Sequence, residues 1–203
     1  MSSDPRPESP AVVALVMAAG VSRRFGGDKR RATLPDGRTL LATTLNTVAR
    51  AYPRWWLVTR PEDDLYLGEA FDPARHRRLV ADQARHGLGG SLGDAFRHLI
   101  AEGDTATAAA VVLADMPWLS ATTCTRLQRH ADAERIVIPS HRGRRGHPVL
   151  FGRRFWPTLA ALEAGDGARA VVQANRAAVS VVDVDDDGIW RDIDTPQDLP
   201  EPP

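Results

Sequence analysis

The sequence predicts a three-layer α/β/α domain built on a mostly parallel, mixed sheet. Three observations predict it. Short apolar, β-branched runs alternate with longer stretches whose apolar residues recur at helical spacing, the pattern of parallel strands joined by crossover helices. Val111, Val112 and Leu113 are consecutive and apolar, as in a central strand covered on both faces. From "RGRRGHPVLF" onward the rhythm shortens into brief strands and turns, which argues for an antiparallel addition to the sheet.

Strands are expected over Val12–Met17, Trp55–Thr59, Arg78–Val80, Ala109–Leu113, Ile136–Pro139, Pro148–Phe151 and Val179–Val184. Between them, Leu41, Leu45, Val48 and Ala49 mark one apolar helical stripe, and Leu92, Ala95, Phe96 and Leu99 a second. Leu127 in "ATTCTRLQRHA" belongs to a third. Near the end, "DIDTPQDL" reads as a helix start, with Thr195 as N-cap, Pro196 at the first helical position and Asp198 as the capping acid. The neighbours Trp55 and Trp56 should point to opposite faces of their strand, one packed and the other partly wet.

Composition narrows the function. With 203 residues the chain can bury a sizeable core, and we expect a disordered Pro-rich tail over residues 1–10 followed by one domain over 11–203. Basic and acidic residues balance at 26 each, which argues against a nucleic-acid or membrane-surface partner. "MSSDPRPESP" lacks the apolar segment of a signal peptide, and no run of about 18 apolar residues follows, so a cytoplasmic protein is expected. A single cysteine, Cys124, excludes an internal disulfide and a thiolate cage; in a helical pattern with no evident base it reads as an inert, buried thiol. His76, His86, His98, His130 and His141 lack the spacing of a zinc site.

Charge is concentrated locally. "LVMAAGVSRRFGGDK", Leu15 to Lys29, runs from the first strand into a loop at the carboxyl edge, where open α/β sheets bind ligands. Ala18, Ala19 and Gly20 carry almost no side chain, so their backbone N–H groups can converge on an anion. Arg23, Arg24, Lys29, Arg30, Arg31 and Arg38 face only Asp28 and Asp36 as opposing charges. A phosphate chain suits such a loop. No Gly-Lys-Ser/Thr occurs, which excludes a Walker A loop, and neither the spacing of Gly20, Gly26 and Gly27 nor "GLGGSLG" gives G-x-G-x-x-G. Asp115 follows a buried strand, and Pro117 biases Met116 toward an extended conformation, which leaves the carboxylate at the same edge. A hard cation such as magnesium takes one or two carboxylates with phosphate oxygens and water. Asp194 is left free because Thr195 already supplies the cap.

Together these motifs resemble the nucleotidyltransferases related to molybdenum cofactor cytidylyl- and guanylyltransferases. Their signature A-A/G-G-x-S-x-R-x-G-x-x-K is similar to Ala19-Gly20-Val21-Ser22-Arg23-Arg24-Phe25-Gly26-Gly27-Asp28-Lys29, and "GLGGSL", "LADMP", "RGHPVLF" and "DIDTPQDL" follow in order. The resemblance covers nearly the whole chain. It implies a Rossmann-like fold of the nucleotide-diphospho-sugar transferase type and magnesium-dependent transfer of a nucleoside monophosphate. By this resemblance Arg24, Lys29 and Asp115 are catalytic, and Ala18, Ala19, Gly20, Ser22, Arg24, Lys29, Gly89 and Ser91 hold the nucleotide. Asp115 and Asp194 take the metal, while Arg145, His147 and Asp166 border the acceptor. Met17-Ala18-Ala19-Gly20 and Gly87 to Leu92 resemble the cytidylyl branch, which implies CTP as donor, molybdopterin as acceptor and a client molybdoenzyme as partner. The alternatives are GTP as donor, a sugar or polyol phosphate as acceptor, or a non-catalytic accessory protein that hands nucleotide or cofactor onward.

Overall fold

The computed structural model describes residues 11–63, 76–163 and 167–200, and the backbone alone at His86. The expected tail over 1–10 and the acceptor candidate Asp166 lie outside the described residues.

Among the described residues, eight strands form one sheet: β1 (Val12–Met17), β2 (Trp55–Thr59), β3 (Arg77–Val80), β4 (Ala108–Leu113), β5 (Ile136–His141), β6 (Arg144–Arg145), β7 (Val149–Gly152) and β8 (Val179–Asp183). The order along the sheet is β3-β2-β1-β4-β7-β5-β6, with β8 on β5. β1 lies parallel to β2 and β4, β2 parallel to β3, and β5 parallel to β8. β7 is antiparallel to both β4 and β5, which is the mixed addition that the irregular rhythm predicts.

The helices are α1 (Leu40–Ala51), α2 (Leu88–Ala101), α3 (Ala121–Gln128), α4 (Trp156–Ala160) and α5 (Ala168–Ala174). Alternation along β1 divides the core in two. Val13, Leu15 and Met17 face α2, α4 and α5 through Phe96, Leu99, Trp156 and Val171, while Val12, Ala14 and Val16 face α1 and α3 through Leu45, Val48, Cys124 and Leu127. Apolar burial on both faces fixes the register, since a slip of one residue would exchange the two sets. Thr39 caps α1 by accepting from Ala42 N at 3.2 Å, and Ser120 caps α3 by accepting from Thr122 N at 3.2 Å.

Two local expectations are corrected. Trp55 and Trp56 do face opposite layers, yet both are buried, because each face is covered and the Arg77 guanidinium lies 5.7 Å over the Trp56 ring. The segment after Thr195 keeps the expected cap, with Pro196 at its first position and Asp198 as the capping acid, but is only a single 3-10 turn, Pro196–Asp198. Pro200 follows Leu199, which is held extended, so the turn cannot propagate. No helix among the described residues is long and apolar enough to cross a membrane.

Candidate active site

The carboxyl ends of β1 and β4 meet the C-terminal segment at one edge of the sheet. After β1 the backbone bends sharply, with Ser22 at φ 51° and Gly26 at φ 74°, and Asp28 then caps a one-turn 3-10 helix, Lys29–Arg31, by accepting from Arg30 N at 3.1 Å. On this short turn the two neighbouring cations leave in different directions.

Arg30 turns inward and is 4% exposed. Its guanidinium donates to Ala18 O at 2.6 Å, to Asp28 at 2.7 and 2.8 Å and to Asp63 at 2.6 Å. Asp63 also accepts from Arg60 N at 2.9 Å. Burial alone would raise the Asp63 carboxyl, but the hydrogen bonds from Arg30 and Arg60 outweigh it and hold the group well below the usual carboxylate range. Arg30 is therefore a neutralised strut under the loop and adds no free charge to it. Arg38 is likewise paired with Asp36, in solvent. The cationic loop expected from the sequence is thus smaller than its count of basic residues.

Lys29 points the other way, into the carboxylates. Its ammonium donates to Asp115 Oδ2, to Ile193 O at 2.8 Å and to Asp194 Oδ1 at 3.3 Å. Arg24 reaches the second oxygen of Asp194 at 2.9 Å. The backbone joins the same segments, since Ile193 N donates to Asp115 O at 3.1 Å. Asp198 keeps Asp194 in place by accepting from Asp194 N, Thr195 N and the Thr195 hydroxyl at 3.1, 2.7 and 2.9 Å. The structure thus brings Arg24, Lys29, Asp115 and Asp194 to one point.

A third carboxylate, Asp192, joins them. One ligand oxygen from each of Asp115, Asp192 and Asp194 lies within 4.8 Å of the others. Asp115 Oδ1 is buried with no hydrogen-bond partner, an orphan anionic oxygen of the kind a hard cation satisfies. The donor set therefore fits a divalent metal. Asp192 was not among the metal candidates from the sequence. The signal was the alternation in "DID", since two acids at i and i+2 of a non-helical stretch can share a side.

Beside this cluster opens a cavity of about 660 Å³. Ala18, Ala19, Gly20, Ser22, Arg24, Lys29, Ser91, Asp115 and Asp194 all line it. Gly89 does not: α2 begins at Leu88, which turns Gly89 into the buried first turn. The Ser91 hydroxyl donates to Leu88 O at 3.1 Å and borders the cavity with its remaining surface. The glycine run also serves packing, since a Cβ at Gly90 would stand 2.5 Å from Gln83 O.

A second cavity, of about 680 Å³, has an apolar floor of Leu92, Val111, Ile138 and Phe151 and carries Arg145 and His147 at its rim. Arg169 and Arg176 add two further cations. Leu88 borders both cavities. His147 N donates to Ile189 O at 2.7 Å, and burial pushes its imidazole below the usual value, which favours the neutral ring. The peptide bond from His147 to Pro148 is cis. Cys124 is buried, and burial pushes its thiol up to about 12, in keeping with an inert role.

The sequence model of the MobA-like NTP transferase domain matches residues 14–179. The chain belongs to that family. The matched span holds the loop, both cavities' strands and Asp115, and it ends before Asp192 and Asp194. Nicotine blue oxidoreductase of Paenarthrobacter nicotinovorans is a relative with 26% identity over 94% of this chain and 95% of its own. The purine catabolism protein PucB of Bacillus subtilis strain 168 is 28% identical over the same shares. Among solved structures, Rv0371c of Mycobacterium tuberculosis H37Rv is similar with a TM-score of 0.76 and 25% identity, covering 93% of this chain and 95% of that one. The names of these relatives point to unlike reactions, so family membership fixes the domain and not the acceptor.

Proposed function

We propose that this family member moves CMP from CTP to the phosphate of molybdopterin, with release of pyrophosphate. One observation carries the reading: Arg24 and Lys29 converge with Asp115 and Asp194 at the wall of a cavity that Ala18, Ala19 and Gly20 also line. Cations for a polyphosphate and oxygens for a hard cation thus share one chamber of nucleotide size.

A phosphomonoester oxygen is ionised near neutral pH, so the acceptor needs no strong base. Positioning and charge are what the chain supplies. Arg24 and Lys29 hold the β- and γ-phosphates, and the backbone of Ala18 to Gly20 approaches the nucleotide closely. An acceptor seated in the second cavity presents its phosphate past Leu88. Its oxygen forms the new bond to the α-phosphorus while the bond to the bridging oxygen breaks, and pyrophosphate departs against the two cations. Asp115 and Asp194, with Asp192, would hold magnesium. When bound, the ion supplies charge neutralisation at the phosphate under attack. His147, hydrogen-bonded through its backbone N–H, borders the acceptor in the second cavity. The "AAG" and "GLGGSL" motifs support CTP over GTP.

The test supplies magnesium, each nucleoside triphosphate in turn, and molybdopterin or a panel of sugar and polyol phosphates, and measures pyrophosphate release. Release with CTP and the pterin alone is expected. Release with a sugar phosphate would move the acceptor, release with GTP would move the base, and binding without release would leave an accessory protein.

A further inference from the structure

Lys29 is the single lysine of the chain, since the rest of its 26 basic residues are arginines. An ammonium is a compact point charge with three donors, whereas a guanidinium is a planar fork. All three Lys29 donors are used, on Asp115 Oδ2, Ile193 O and Asp194 Oδ1. The side chain is 14% exposed. Two of those acceptors belong to the carboxylate group whose oxygens converge within 4.8 Å. The ammonium thus occupies the cluster as an internal monovalent cation. Arg24 covers the outer oxygen of Asp194, which leaves Asp115 Oδ1 as the oxygen of that pair with no partner.

We propose that the Lys29 ammonium and a divalent cation are alternative occupants of the Asp115 and Asp194 carboxylates, so that the protein takes its metal as a metal–triphosphate chelate rather than as the free ion. This rests on reading the adjoining cavity as a triphosphate site. A free divalent ion approaching those oxygens meets a positive charge already hydrogen-bonded there, and two cations at contact distance in a part-buried site repel strongly. A triphosphate removes the obstacle. Its oxygens offer the ammonium a new set of acceptors at the moment the metal claims the carboxylates, so each cation gains an anionic partner in the exchange. Arg24, largely exposed, can follow the same path. The two cations that hold the carboxylates together therefore become the cations that hold the phosphates.

The experiment titrates manganese alone, without nucleotide, into the wild type and Lys29→Met, with bound ion read by electron paramagnetic resonance. The variant should bind manganese more tightly than the wild type by about tenfold or more, because the competing charge is gone. This is a gain of affinity, which a damaged fold does not produce. Equal affinities overturn the exchange, and so does a wild type that binds the free ion tightly. A second measurement needs no variant. Because Lys29 is the only lysine, acetylation by acetic anhydride followed by mass spectrometry reads this side chain and the chain terminus alone. Saturating manganese should raise the labelling rate at Lys29 several-fold as the ammonium leaves the carboxylates, and an unchanged rate overturns the proposal. Transfer from CTP with equal manganese affinities sinks the exchange and leaves the function standing. A clear gain of affinity without any nucleotide transfer does the reverse.

Discussion

The ammonium of Lys29 is hydrogen-bonded to the carboxylate of Asp115 across 86 positions of sequence. That bond closes the gap between the loop after β1 and the end of β4, and it makes the site's charge balance depend on two segments far apart in the chain that neighbouring strands bring together. Several consequences of this arrangement and of its surroundings can be measured.

Replacing Asp115 by Asn removes the one carboxylate that both faces Lys29 and keeps an orphan oxygen. Pyrophosphate release should fall by roughly 100-fold or more, the scale seen when a preorganised electrostatic partner is lost. Circular dichroism should stay unchanged, because Lys29 keeps Asp194 and the Ile193 carbonyl. Retained turnover would remove Asp115 from the machinery.

Asp63 makes stability depend on acid. Its folded carboxyl lies well below the unfolded value of about 3.9, so the stabilisation it brings is fully present above that pH and is lost as pH falls through the folded value. Asp63→Asn should lower stability at pH 7 by about 1 to 3 kcal/mol, since Arg30 keeps Asp28 and the Ala18 carbonyl but loses its buried carboxylate partner. Urea unfolding from pH 7 to pH 2 should show a flatter acid limb in the variant than in the wild type.

The Cys124 thiol, pushed up to about 12 by burial, should not react with iodoacetamide in the native protein at pH 8. Unfolding in guanidinium chloride should expose it to full labelling. Rapid native labelling would contradict its packing between α1 and α3.

Gly146 lies where the β6–β7 connection passes the Asp187–Trp190 turn, and a Cβ there would stand 2.0 Å from Ile189 O. Gly146→Ala must displace that turn, which leads directly into Asp192 and Asp194. We expect a loss of about 1 to 3 kcal/mol in thermal unfolding, as for other overpacked positions, together with weakened metal binding. An unchanged melting temperature with unchanged manganese affinity would show that the turn and the carboxylates are independent.

The strands were legible because apolar runs and their spacing are local properties: Val12–Met17 and Trp55–Thr59 are read from the chain at the bounds where they occur. The mixed order of the sheet was legible only as an irregular rhythm from Arg142 onward. Arg30 shows where local reading stops. By sequence it is one more cation in a basic loop with Asp28 nearby, yet it is also held by Asp63, 33 positions away, and by a backbone carbonyl. One of Trp55 and Trp56 was expected partly wet because nothing in their neighbourhood names the Arg77 guanidinium that covers Trp56. Asp192 was passed over because the acid beside it already fitted the motif.

By itself the sequence determined which residue types could meet: small residues and cations after the first strand, an acid after a buried one, and acids near the end, all placed by strand ends at the same edge of a parallel sheet. Only the tertiary structure decided which of them do meet and in what state. Whether a cation faces a ligand or a carboxylate depends on partners brought from distant positions and on how much water they exclude, and neither quantity is encoded in neighbouring residues.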